Sequence, residues 1–227
     1  MEDIDDQHSE HDVKYGVVPY KSLRRPDDRS RGYAKKRFNK EQQRIGELTD
    51  EAEKDTLTGL LRVGAFQSRA EAAIAHSKRT GEPLTLFCTD IDNFKKDIND
   101  PYGQLTGDAV IRFVADVLTA STRETDFIGR IGGDEDAGIL VNASPEFLEK
   151  FRERVSQNIK ERKETLADLL PEGVDMNKIL PKIGVTIGLA SYDAAASHKS
   201  NPDIYKDLLS AANSEVHELK NEKNVGR

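Results

Sequence analysis

Asp126-Phe127-Ile128-Gly129-Arg130-Ile131, then Gly132-Gly133-Asp134-Glu135-Asp136, then Ala137-Gly138-Ile139-Leu140-Val141 is a hairpin in outline. Both flanks are rich in apolar and β-branched residues, and the paired glycines between them mark a tight turn. Three acids then fall at the hairpin tip. Crowded carboxylates repel one another unless a cation or protons hold them, while glycine adopts positive φ cheaply and lets backbone approach a ligand. The turn therefore has two readings: metal-site chemistry, or an ordinary exposed Gly-Gly-Asp turn.

Upstream, Leu84-Thr85-Leu86-Phe87-Cys88-Thr89-Asp90 reads as a buried strand that ends on an acid, the end at which α/β folds build sites. Residues 106–120 have helical spacing at Val110, Phe113, Val114 and Leu118, and residues 65–79 form a further helix closed by Thr80-Gly81. Downstream come a charged helix from about Pro145 to Leu169, a strand over Lys182–Ala190 and a last helix over Asp203–Lys220. The order is β-α-β-β-α-β with flanking helices, which predicts an α+β, ferredoxin-like antiparallel sheet covered on one face.

Composition narrows the function classes. With 227 residues and 36% hydrophobic content, the chain has room for one good core plus an appendage. A net charge of −7 argues against nucleic acid or anionic membrane as partners of the whole surface. No stretch approaches a membrane span and the start Met1-Glu2-Asp3-Ile4-Asp5-Asp6 is acidic, so neither membrane insertion nor a signal peptide is expected. The single cysteine, Cys88, lies in an apolar run, and its reading is core packing in a reduced, cytoplasmic setting. The first 12 residues carry six acids and no Lys or Arg, whereas residues 19–40 carry nine Lys or Arg against two acids. Residues 1–38 thus read as a charged tail, either a solubilising arm or a dock for a protein partner, and residues 39–54 as a lead-in helix with Ile45, Leu48 and Ala52 on one face.

Five motifs stand in order along the chain: Asp55-x-Leu57-Thr58-Gly59-Leu60, Asp90-Ile91-Asp92-x-Phe94-Lys95, Asn99-Asp100-x-Tyr102-Gly103, Gly107-Asp108 and Gly132-Gly133-Asp134-Glu135. Together they resemble the GGDEF family of diguanylate cyclases, which join two GTP molecules into cyclic di-GMP; the resemblance covers about residues 50–227, within which residues 55–227 are the expected domain. It implies Mg²⁺ (or Mn²⁺) held by Asp90, Asp134, Glu135 and the backbone carbonyl of Ile91, with Asp134 also in the general-base position. It implies Lys95 and Lys220 on GTP phosphates, Asn99 and Asp108 on guanine, and the Gly132-Gly133 backbone beside the substrate. Asp108 also suits a helix N-terminus and Lys220 a helix C-terminus, and Asp92 is either a direct participant or a fold-supporting acceptor. Arg123-Glu124-Thr125-Asp126 fits the family's RxxD inhibitory site for cyclic di-GMP, or else a salt bridge at the start of a strand. Because one monomer cannot close the cyclic product, a homodimer is implied.

The chain departs from the family pattern at several places. Asp136 stands where a core phenylalanine closes the signature, a costly exchange if the carboxylate is buried unpaired. Lys96-Asp97-Ile98 gives three residues where two are usual, which threatens to displace Asn99. Gln104 replaces a histidine, Arg62-Val63-Gly64 an Asn-Arg-Arg run and His217 a tyrosine, and residues 164–182 are long enough for an added lobe. These features leave two functions open: a product-inhibited cyclase, or a non-catalytic receptor for cyclic di-GMP or GTP that signals through its tail.

Overall fold

The computed structural model describes residues 35–41, 44, 52–143, 145–194 and 199–225. The chain divides into two units, Met1–Glu51 and Ala52–Arg227. In the first, residues 35–41 and 44 are helical; the rest of the expected tail, and residues 42–43 and 45–51 of the lead-in helix, lie outside the described residues.

The second unit is built on a five-stranded sheet. Its strands are β1 (Leu61–Arg62), β2 (Leu84–Ile91), β3 (Phe127–Arg130), β4 (Glu135–Val141) and β5 (Val185–Tyr192), in the order β1-β3-β4-β2-β5. Helices α1 (Val63–Thr80), α2 (Gln104–Ser121), α3 (Pro145–Glu161), α4 (Lys163–Leu169) and α5 (Asn201–Val225) pack around it. The β2-α2-β3-β4-α3-β5 order is the expected one, with β2 central between β4 and β5 and antiparallel to both.

Two expectations are corrected. The sheet is mixed, because β1 runs parallel to β3. It is also covered on both faces. Leu84, Leu86 and Cys88 of β2 share a core with Phe66 and Ile74 of α1 and Leu208 and Ala212 of α5. Phe87 and Ile91 share the opposite core with Phe113 and Val114 of α2 and Phe151 of α3. Apolar side chains occur at both parities of β2, with Leu84, Leu86 and Cys88 on one face and Phe87 and Ile91 on the other, which is the signal of a strand buried on both faces. Cys88 is fully buried, and burial, then the charge of Glu135, pushes its thiol up to about 12, so it behaves as an inert core group.

The single helix expected over Pro145–Leu169 is two. Arg162 leaves helical geometry at φ −96° and ψ 25°, and α4 follows with Leu166 buried in the same core as Ile179 and Ile183. The long connection is thus part of the main core. Its far end places the Lys182 ammonium 4.8 Å above the Tyr102 ring, beside the Asn99–Gly103 motif.

Helix α5 lies directly on β5 because Gly188 has no side chain: a Cβ there would stand 2.1 Å from the carbonyl oxygen of Ala212 and 2.8 Å from the backbone nitrogen of Val216. Both obstacles are backbone, so Gly188→Ala separates the helix from the strand. The expected loss is about 3 kcal/mol, the upper end of ordinary overpacking, read as a lower urea midpoint; an unchanged midpoint contradicts this packing.

Candidate functional site

The signature turn is held from outside by an arginine. Asp55 accepts hydrogen bonds from the backbone N–H of Leu57 and Thr58, at 3.2 and 3.0 Å, and from the Thr58 hydroxyl at 2.9 Å. Burial pushes its carboxyl up, but the Thr58 bonds and Arg130 outweigh that and leave it below its ordinary value. Arg130 then donates Nη1 to Asp55 at 3.1 Å and Nη2 to the Gly133 carbonyl at 2.6 Å. The first motif therefore serves as the anchor of the last. Within the turn, the N–H groups of Ile131 and Gly132 both donate to the Glu135 carbonyl, at 3.0 and 3.1 Å.

Positive φ is not what the two glycines supply. Neither Gly132 nor Gly133 has a positive φ. The Glu135 side chain folds back over Gly132, where a Cβ would stand 2.5 Å from its Oε2 and displace that carboxylate. Only Asp134 of the three acids lies in the turn, since Glu135 and Asp136 open β4.

The carboxylates converge in pairs. Asp90, near the end of β2, lies opposite Glu135 on β4 and Thr186 on β5. Lys220 of α5 reaches over the sheet and forms an ion pair with Asp90. One turn further along α5, Lys223 donates to Asp92 at 2.8 Å and to the Thr186 hydroxyl at 2.7 Å. Thr186 itself donates to the other Asp92 oxygen at 2.5 Å, so Asp92 is fully engaged. Burial, then the negative charge of Asp90, holds the Asp134 carboxyl above its ordinary value. A half-buried carboxyl whose charged form is disfavoured beside a second carboxylate makes a place for a cation, and Lys220 supplies one at Asp90. Among the described residues no three His, Cys, Asp or Glu side chains form a ready metal cage. Mg²⁺ does not demand one, because it is commonly held by one or two carboxylates together with substrate phosphates. The residues present fit such an ion.

The extra residue near Lys96 is absorbed locally. Phe94–Asn99 winds as a π-helical turn, with the Asp100 N–H donating to the Lys95 carbonyl. One added residue per turn is what a π-bulge accommodates. Phe94 and Ile98 stay buried, and Asn99 lies against Gly107, where a Cβ would sit 1.8 Å from Asn99 Oδ1. The insertion thus leaves Asn99 beside the Gly107-Asp108 motif. Its Oδ1 is buried with no hydrogen-bond partner among the described residues. Asp108 is half-buried, and Lys95 is exposed.

At the RxxD segment, Asp126 Oδ2 accepts from the Arg123 N–H at 2.9 Å and Oδ1 from the Val141 N–H at 3.0 Å. The Arg123 guanidinium rests 4.1 Å from the Phe147 ring centroid, with that of Arg154 at 5.0 Å from the same ring. Arg123 and Asp126 also line a concavity of about 370 Å³ together with Lys54, Arg69 and Phe127. Sequence reading missed Arg130, Thr186, Lys223 and Arg154. Of these only Lys223 left a signal, its one-turn spacing from Lys220.

A sheet whose central strands bring acids together beneath lysines of a covering helix is the palm of a nucleotide cyclase. A family model described as "Diguanylate cyclase, GGDEF domain" matches residues 52–225, and the chain belongs to the GGDEF family. Diguanylate cyclase DosC of Escherichia coli strain K12 is 33% identical over 158 residues, which are 70% of this chain and 31% of that protein. The chain therefore spans about a third of the length of that curated relative. The GGDEF domain of DgcB from Caulobacter crescentus, solved in complex with cyclic di-GMP, superposes with a TM-score of 0.62 at 27% identity, covering 75% of this chain and 91% of that one. The longer coiled coil and GGDEF structure of the same protein shares the fold at a TM-score of 0.69 and 24% identity, over 84% and 92% of the two chains.

Asp136 is the outlier of the site. It is 4% exposed, its Oδ1 has no partner among the described residues, and it faces Thr89 and Arg130 across the sheet. Burial pushes its carboxyl up to about 7, with Asp55 and Asp134 adding to the rise and Arg130 opposing it. A carboxyl raised in the folded state ionises first in the unfolded one, so stability falls as pH climbs from about 4 to about 7 and is level beyond. The fall approaches 4 kcal/mol, at about 1.4 kcal/mol for each pH unit. Asp136→Asn removes this dependence. In EDTA, the advantage of Asp136→Asn over wild type in urea unfolding is expected to be small near pH 4 and to grow to several kcal/mol at pH 8; an advantage that is constant with pH contradicts a buried, unpaired carboxyl.

Proposed function

We propose that the domain is a diguanylate cyclase that condenses two GTP molecules into cyclic di-GMP. The observation that carries this reading is the pairing of Asp90 and Asp134 at the ends of the central strands, under Lys220 and coupled through charge. Asp90, Asp134, Glu135 and the Ile91 carbonyl are the groups to hold Mg²⁺ (or Mn²⁺), which when bound neutralises the triphosphate and polarises the reacting phosphate. Lys220 then leaves Asp90 for a phosphate oxygen, and Lys95, exposed on the π turn, meets the phosphates from the other side. Asn99 and Asp108 receive guanine, the orphaned Asn99 Oδ1 accepting from one of its N–H groups.

Asp134 takes the proton of a ribose 3′-hydroxyl. That oxygen attacks the α-phosphate of the second GTP in line and expels pyrophosphate, and the same step in the reverse sense closes the ring. Each domain presents one GTP, so the product forms between two copies across a two-fold axis. Arg123 and Asp126, beside Arg154, form the site for product inhibition by cyclic di-GMP. The charged arm of residues 1–38 is the segment to meet a protein partner, and the domain works in the cytoplasm.

The buried Asp136 favours a second reading. A hairpin carrying an unsatisfied carboxyl next to the catalytic turn can fail to hold Asp134 in place, and an error of about 1 Å costs roughly a hundredfold in rate. The domain would then be a receptor that retains the cyclic di-GMP site. With GTP and Mg²⁺, the cyclase reading expects cyclic di-GMP by mass spectrometry from wild type and a loss of more than about a hundredfold in Asp134→Ala, beyond what even outer-shell partners of a metal contribute. Product from Asp136→Phe but none from wild type assigns the native chain to the receptor class.

Calorimetry with cyclic di-GMP tests the RxxD site separately. Arg123→Ala should weaken binding by about a hundredfold, the equivalent of about 3 kcal/mol for a charged bidentate contact. Equal binding by wild type and Arg123→Ala places the ligand elsewhere.

A further inference from the structure

A cavity of about 580 Å³ lies away from the turn, between α3, α5 and the chain that leads into β5. Its walls are aliphatic: Val155 and Ile159 from α3, Leu180, Ile183 and Ile187 around the start of β5, and Leu219 from α5. No aromatic side chain lines it, so it offers no platform on which a nucleobase would stack. Three cations, Arg152, Lys160 and Lys223, border it.

Two of those cations are already committed. Arg152 donates to Glu215 at 2.6 Å and to the Ile187 carbonyl at 3.2 Å. Lys223 is held by Asp92 and Thr186, the triad that forms the wall shared with the candidate metal site. Lys160 has no ion-pair partner among the described residues. The cavity thus presents an aliphatic interior and one unspent positive charge at its edge, within the size range of small-molecule sites.

We propose that this cavity is a second binding site, for an amphipathic monoanion with an aliphatic body. Its carboxylate pairs with Lys160 and its chain lies against Ile159, Ile183 and Leu219. Charge complementarity selects a single negative group, because a second would have to draw Lys223 from Asp92 or Arg152 from Glu215. The site is independent of GTP and of cyclic di-GMP. Asp92, two residues beyond Asp90 in the chain, is part of its lining.

The test is a methyl NMR titration of the full chain with decanoate, decanol and inorganic phosphate. Decanoate is expected to shift the methyl signals of Ile159, Ile183 and Ile187 saturably, with phosphate giving no such shifts. Lys160→Glu, at an exposed position, should weaken decanoate about tenfold and leave the weaker decanol binding unchanged. Ser156→Trp, also exposed, should block both ligands by filling the mouth; if that variant does not fold, Lys160→Glu alone decides. Absence of saturable shifts with decanoate overturns the proposal. So do shifts that phosphate reproduces, or decanoate binding indifferent to Lys160→Glu.

Discussion

The grip of Arg130 on the turn is the contact on which the site geometry rests. One guanidinium joins Asp55, some 75 residues earlier in the chain, to the carbonyl of Gly133. It is little exposed, 18% for Arg130 and 24% for Asp55, so the pair is only partly screened and the fork geometry is held. A hydrogen bond to a charged group in such a setting contributes about 1.5–3 kcal/mol. The position of Asp134 follows from it, because the residue next to a fixed carbonyl has little freedom left. The loop of Asp55 and Thr58 is held by its own hydrogen bonds and in turn holds Arg130.

The same arginine explains why Asp136 is both tolerated and unsatisfied. It stands opposite Asp136 in the β3–β4 register and its charge opposes the rise of that carboxyl. Its donors, however, point to Asp55 and Gly133. Asp136 receives electrostatic relief without a hydrogen bond, which leaves protonation as its other route to neutrality. A phenylalanine at this position would need neither. At the other end of the site, α5 answers the charges of Asp90 and Asp92 with two lysines one turn apart, so the acids are compensated before any cation arrives.

Much of this was legible in the sequence. The β-α-β-β-α-β order followed from the apolar runs, and β2 and β4 are the neighbours that the expected approach of Asp90 to Asp134 requires. The second covered face was also written in β2, where Leu86, Phe87 and Cys88 put apolar side chains on both faces, but the ferredoxin-like pattern pointed to one face. What stayed hidden depends on backbone detail. A π turn cannot be told from an α turn by periodicity when only six residues are involved. The break at Arg162 has no glycine or proline to announce it. Arg130 read as a polar residue in a strand, because its partners are a carbonyl and an acid from a distant loop.

The RxxD segment shows how a motif can be over-read. Both oxygens of Asp126 accept backbone N–H groups, one from Arg123 and one from Val141 at the far end of β4. These bonds close the turn between α2 and β3 and tie it to the hairpin, so the fold alone gives reason for an aspartate here. Arg123 is different: its guanidinium is stacked on the Phe147 ring, which Arg154 also contacts, and no hydrogen bond or ion pair among the described residues uses it. A ligand role for the motif therefore rests on the arginine, and the aspartate, which the structure needs in any case, is silent on it.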